Sequence, residues 1–210
     1  MKPASSDSVF INCPFDEDYN DFFNATVFTI YRCGFLPRCA KEEDDALDTR
    51  INKILNIIDE CRYGIHDISR IELNESGFPR FNMPFELGLY YSAKKFGNDS
   101  QKKKRALVLE KNKYDYQKYI SDLNGIDTKA HNGNKDELIR EIRNWLNQSS
   151  RRTTIPGHIT IIKDFDEFYI QLPEMLADSG LDIENLTFND LCLHIETWLE
   201  AIDELVDDNG

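Results

Sequence analysis

The chain has 210 residues, 40% hydrophobic and 30% charged, with a formal net charge of −13. That length buries one substantial core with room for an appendage; no apolar run is long enough to cross a bilayer, and the polar segment 1–7 has no signal-peptide core, so a cytoplasmic protein without membrane contact is expected. The acidity of the C-terminal tail argues against its binding nucleic acid, and no nucleic-acid partner is expected, while five scattered cysteines without a Cys-x-x-Cys pair and four histidines without ligand spacing argue against a disulfide framework and against a metal site.

Taken in chain order, Ser8 to Cys13 is short, apolar and rich in β-branched residues, and it ends at Pro14-Phe15-Asp16. It reads as a buried strand. Tyr19 to Cys33 has helical apolar spacing (Phe22, Phe23, Val27, Ile30, Tyr31) and stops at Gly34. Phe35 to Ala40 reads as a second strand. Leu47 to Cys61 carries a helical stripe of Leu47, Ile51, Ile54, Leu55 and Ile58. Tyr63 to Ile68 is a third strand with Asp67 near its end, and a polar loop, Ser69 to Asn82, follows.

The next segment, Phe81-Asn82-Met83-Pro84-Phe85-Glu86-Leu87-Gly88-Leu89, opens a helix. Pro84 suits an early helical position, where its missing N–H costs nothing. Glu86 then falls in the first turn of an otherwise apolar helix, pointing into a crevice at its mouth; the alternative is a glutamate favoured there by the helix dipole alone. Gly88 permits close approach. Arg105 to Glu110 is a fourth strand, preceded by the basic run Lys102-Lys103-Lys104-Arg105, which is either solvated or a phosphate contact. Asp136 to Asn147 is an amphipathic helix.

A linker-like stretch, Ser149 to Gly157, sets a boundary between an α/β domain (1–150) and a C-terminal extension (151–210). After Lys163 there is no Lys or Arg, and the tail holds 14 of the 38 acidic residues, while the other 24 balance 25 bases. Two or three helices are expected beyond the linker-like stretch: one from Gly157 to Leu172, ended by Pro173, with Pro173 to Asp178 adding a turn before Gly180. A second follows a Thr187-x-x-Asp190 cap, with a stripe of Leu191, Ile195, Trp198, Leu199, Ile202 and Leu205. This stripe either packs back on the first domain or forms a surface for self-association or a partner.

Strands alternating with helices imply a doubly wound, mostly parallel α/β sheet, whose ligands bind beyond the carboxyl ends of the strands. Asn12, Cys13 and Pro14 fall at one such end, Asp67 at another, and Glu86 opens the helix that follows. Three segments thus converge on one rim. Cleavage of an N-glycosidic bond builds positive charge on the sugar, and a fixed carboxylate stabilises it.

The ordered motifs are Phe10-Ile11-Asn12-Cys13-Pro14-Phe15, Gly34-Phe35, Asp59-Glu60-Cys61, Asp67 and Asn82-x-Pro84-Phe85-Glu86-Leu87-Gly88. Over roughly residues 8 to 148 they resemble the nucleoside 2-deoxyribosyltransferase-like families and their TIR-domain relatives. The resemblance implies a flavodoxin-like nucleotide-binding domain in which Glu86 acts on the anomeric carbon. It implies that Asp67 holds a ribose hydroxyl or assists proton transfer, and that Phe10, Asn12, Pro14, Asn82 and Gly88 line the pocket. NAD or a related nucleotide would be substrate rather than cofactor, with no cofactor and no metal. The role implied is an N-glycosidase effector of the antiviral-defence type, controlled by homo-oligomerisation or a partner through the C-terminal helices. A non-catalytic nucleotide sensor or scaffold, and nucleoside deoxyribosyl transfer, are the alternatives.

Overall fold

A computed structural model describes residues 7–42, 45–70 and 80–207. Its centre is a parallel five-stranded sheet of β1 (Ser8–Asn12), β2 (Leu36–Arg38), β3 (Tyr63–Asp67), β4 (Arg105–Glu110) and β5 (Lys129–Ala130), in the order β2-β1-β3-β4-β5. The register sets Asn12 against His66, Asp67 against Leu109 and Glu110 against Ala130, so the four strand ends lie along one edge. β5 is only two residues long, and no apolar run announces it.

β1 and β3 are buried on both faces, which is why they read as continuous apolar runs rather than alternating ones. Val9, Ile11, Tyr63, Ile65, Leu107 and Leu109 enter one cluster with α1 (Asn20–Arg32) and α4 (Lys135–Ser150). Phe10 and Val108 face the other way, toward α2 (Arg50–Glu60) and α3 (Asn82–Phe96). Right-handed crossovers explain the division: the chain steps from β1 to β2 in one direction and from β2 through β3 to β4 in the other, so the intervening helices lie on opposite faces. The fold is doubly wound α/β, and its winding reverses between β1 and β3. Ligands bind at such a switch point.

α2 begins at Arg50, where Thr49 accepts a hydrogen bond from the Asn52 amide, rather than at Leu47. Leu47 is therefore outside the helix and fully exposed, and the buried positions of α2 are Lys53, Ile54, Ile57 and Ile58 rather than the whole expected stripe. On the same face Gly64 has a packing reason: a Cβ there would lie 2.8 Å from both the Tyr90 ring and His66 Nε2. Tyr90 uses the space to donate to the Arg62 and Arg105 carbonyls.

The C-terminal extension packs back on the sheet domain. α5 (His158–Asp178) and α6 (Phe188–Asp207) share one hydrophobic cluster with α1 and α4. Phe28 of α1 is the hinge of that contact, meeting Phe165, Phe168 and Trp198 at centroid distances of 5.5, 5.3 and 5.8 Å. Arg32 ties both helices down through Asp164 (2.7 Å) and Asp203 (3.4 Å). α5 runs through Pro173 instead of ending there. The lost Pro N–H removes one helical bond, but Leu172 and Leu176 on either side are buried in the core and hold the helix on course. The α6 stripe of Leu191, Ile195 and Trp198 is likewise buried, so these residues are engaged within the molecule rather than presented on a surface. Among the described residues, no helix is long and apolar enough to cross a membrane.

Candidate active site

Asn12 ends β1, and its side-chain amide donates to the Met83 carbonyl at 2.8 Å and to His66 Nδ1 at 3.0 Å. It thereby fixes the first turn of α3 against the sheet. Burial pushes His66 down to about 3, so the ring is neutral. With Nδ1 accepting, the proton sits on Nε2, which lies at the edge of Tyr90. Asn12 is thus a buried clip for the α3 start, not a pocket-lining group.

Asp67, at the end of β3, faces the other side of the sheet. Tyr19 donates its hydroxyl to Oδ2 at 2.5 Å, and the Ser69 amide donates to Oδ1 at 2.8 Å. His131 Nε2 stands 3.3 Å from Oδ2, off the line of a good hydrogen bond; Nδ1 accepts from the Gly133 amide, which puts the proton on Nε2. Burial alone would raise the Asp67 pKa, but the His131, Ser69 and Tyr19 contacts outweigh it and hold the carboxyl below its ordinary value. Both oxygens are engaged, so Asp67 joins three loops at the rim while remaining ionised.

Glu86 is different. It stands on α3 two residues beyond Pro84, in the second turn rather than the first: the first turn holds no acid. The helix dipole therefore does not account for it. The side chain is buried, no hydrogen bond to it is found among the described residues, and its carboxyl is pushed up to about 7 by burial, with the Arg50 guanidinium of α2 pulling the other way. Burial of the carboxylate disfavours its charged form, and such perturbed groups cluster at functional sites.

A crevice of about 460 Å³ opens beyond the ends of β3, β4 and β5, lined by Tyr19, Phe22, Ser69, His131 and Gly133, by the cations Arg70, Arg80 and Lys111 and by the acid Asp18. Arg70 and Arg80 converge on Asp16, and Arg70 also reaches Asp18 at 3.1 Å. Lys111 follows β4 directly, with its stem lying along Gly133. Asp67 sits behind the Tyr19–His131 wall of this crevice. Glu86 does not line it but approaches the switch point from the opposite face. Cys13, between β1 and the following loop, feels both carboxylates, and burial raises its thiol well above the ordinary value, which leaves it unreactive. A larger hollow of about 820 Å³ lies between the start of α1 and the 183–191 turn, with Phe15 and Lys41 from the segments after β1 and β2 in its wall, and its acids Glu17, Asp21 and Glu184 are exposed.

The structure does not bring the other expected residues to the crevice. Phe10 is wholly buried between His66 and Tyr90, one strand-face removed from any ligand. Pro14 is buried and Asn82 exposed. Gly88 is about 200° around α3 from Glu86 and faces open space. The 102–105 basic run sits at the amino end of β4, the wrong end of the sheet, where Lys104 donates to the Ile58 and Cys61 carbonyls and so caps α2. Tyr19, Arg50, Arg80, Lys111 and His131 are the residues that sequence reasoning missed. For Lys111 a signal existed, since it is the first residue after a predicted parallel strand. Among the described residues, no group of three His, Cys, Asp or Glu is placed to hold a metal ion. Compared with known proteins, the chain matches no family model and no curated sequence.

Proposed function

We propose that this protein hydrolyses the N-glycosidic bond of NAD or a related nucleotide, with Glu86 as the carboxylate facing the anomeric carbon. The observation that carries the reading is Glu86 itself: a buried carboxylate beside a switch point, with no hydrogen bond found among the described residues and an affinity for protons near neutrality. Its ionised form stabilises positive charge at C1′ as the C–N bond breaks and the bonding pair leaves with the base. Nicotinamide departs from a quaternary nitrogen as a neutral molecule, so no acid is needed at the leaving group; water then adds to C1′ and loses a proton. Asp67 takes the role of positioning Tyr19 and His131 rather than of touching a ribose.

The crevice supports a phosphorylated substrate over a free nucleoside, because Lys111, with no ion pair among the described residues, stands beside Arg70 and Arg80, whose charge Asp16 and Asp18 offset only in part. This favours nucleotide hydrolysis over nucleoside deoxyribosyl transfer. The test is a substrate panel assayed for free base: NAD, its mononucleotide and the corresponding riboside. Cleavage of the phosphorylated compounds, with Lys111→Ala raising KM about tenfold for them and leaving the riboside unchanged, supports the reading. Base exchange between two nucleosides without hydrolysis contradicts it.

A further inference from the structure

Large apolar side chains lie on the outside of α3. At about 100° per residue, Phe81, Phe85, Gly88, Ser92 and Phe96 fall within one sector of about 80°. The three phenylalanines are 69, 57 and 81% exposed, and a Cβ built on Gly88, at one edge of the sector and midway between Phe81 and Phe96 along the helix, meets nothing within 4 Å. Leu89 and Ala93, on the adjoining flank, pack against the α2 cluster. Right-handed winding turns the Ile51 and Leu55 flank of α2 toward α3, and these two residues are also exposed, as is Leu47 just ahead of α2. The two helices therefore present exposed apolar side chains on the same side of the sheet, with Ser92 and the exposed Lys95 among them.

We propose that this α2–α3 face is the contact between two copies of the chain, formed by α3 crossing its symmetry mate at Gly88. Area is the first argument. With roughly 200 Å² for a fully exposed phenylalanine, the three rings alone present about 400 Å², and the aliphatic neighbours bring the face near the ~800 Å² per partner of a standard interface. Self-complementarity is the second. An antiparallel two-fold crossing at Gly88 sets Phe81 of one copy, seven residues before the crossing, against Phe96 of the other, eight residues after it. The absent side chain at Gly88 lets the two backbones approach. Charge is the third. The unbalanced acids lie in residues 164–210, which belong to α5, α6 and the chain end. α5 and α6 pack on the α1 face of the sheet, so the α2–α3 face does not carry their repulsion.

The test is sedimentation of the full chain from about 1 to 100 μM, with circular dichroism to follow the fold. The parent sediments as a dimer at the upper end of that range. Phe85→Ser and Phe96→Ser weaken the dimer at least tenfold with an unchanged spectrum. Gly88→Gln separates folding from pairing: it replaces a glycine inside a helix by a better helix former in open space, so the chain keeps its helix content while the new side chain blocks the crossing. A parent that stays monomeric throughout, or a dimer that all three variants leave intact, overturns the proposal.

Discussion

Glu86 is a carboxylate held ionisable near neutrality at the expense of stability. Its ordinary value of 4.5 rises to about 7 in the folded chain. A carboxyl whose folded pKa lies above its unfolded one favours the fold below pH 4.5, and that contribution is lost as pH rises through 7. Glu86→Gln is therefore expected to be as stable as the parent near pH 4.5 and more stable at pH 8, by at most about 3 kcal/mol, read from urea melts at the two pH values. Under the proposed function the same ionisation governs turnover, and kcat/KM for NAD is expected to rise with pH through an inflection near 7. Arg50→Ala moves the inflection upward, because the Arg50 charge is what pulls the Glu86 value down. At Asp67 the sign is opposite. Its carboxyl is held low in the fold, so its stabilisation is present above the unfolded pKa and is lost in acid. Tyr19→Phe removes one of its donors and costs about 1–2 kcal/mol in a denaturant melt near neutral pH.

Elements place these residues, and the strands were the easiest to read. β1 and β3 are short apolar runs closed by turn residues, a pattern that survives because both faces are buried. The helices showed where single-sequence reasoning weakens. Leu47 fits the α2 periodicity, but Thr49 starts the helix by accepting from Asn52, and a local cap outweighs one apolar match. Pro173 is a normal stop signal, yet burial on both sides carries α5 through it. Glu86 was found from its helix, but one turn too early, and the consequence is chemical: in the second turn its charge is not offset by free helix N–H groups. Asn12 and Asp67 lie at the strand ends where the sequence pattern puts them, whereas their engagement by Met83, His66 and Tyr19 depends on contacts between residues about 50 to 70 apart in sequence, which no local pattern encodes. Gly64→Ala tests element packing directly. It drives a methyl into the Tyr90 ring and His66, and a loss of about 1–3 kcal/mol is expected in the melting free energy.

At the scale of the whole molecule, the C-terminal helices complete a core rather than append to one. Phe165, Phe168 and Trp198 close over Phe28, and removing α5 and α6 would expose the α1–α4 face to water. A chain truncated after residue 157 is accordingly expected to aggregate or to bind a hydrophobic dye strongly, measured beside the intact chain. The charge asymmetry follows the same geometry, with the acidic helices behind the α1 face and a near-neutral remainder carrying the site. The doubly wound sheet brings the ends of β1 and β3 together at the reversal of winding, with cations on one side and Glu86 on the other. The most direct test of this arrangement is a time course of NAD with the purified chain and with Glu86→Gln, followed by chromatography for nicotinamide at pH 8. Release by the parent, reduced at least a thousandfold in a variant that remains folded, is the expected result. Equal release by both proteins would contradict the role assigned to Glu86, and no release from NAD or any nucleotide by the folded parent would contradict the proposed activity.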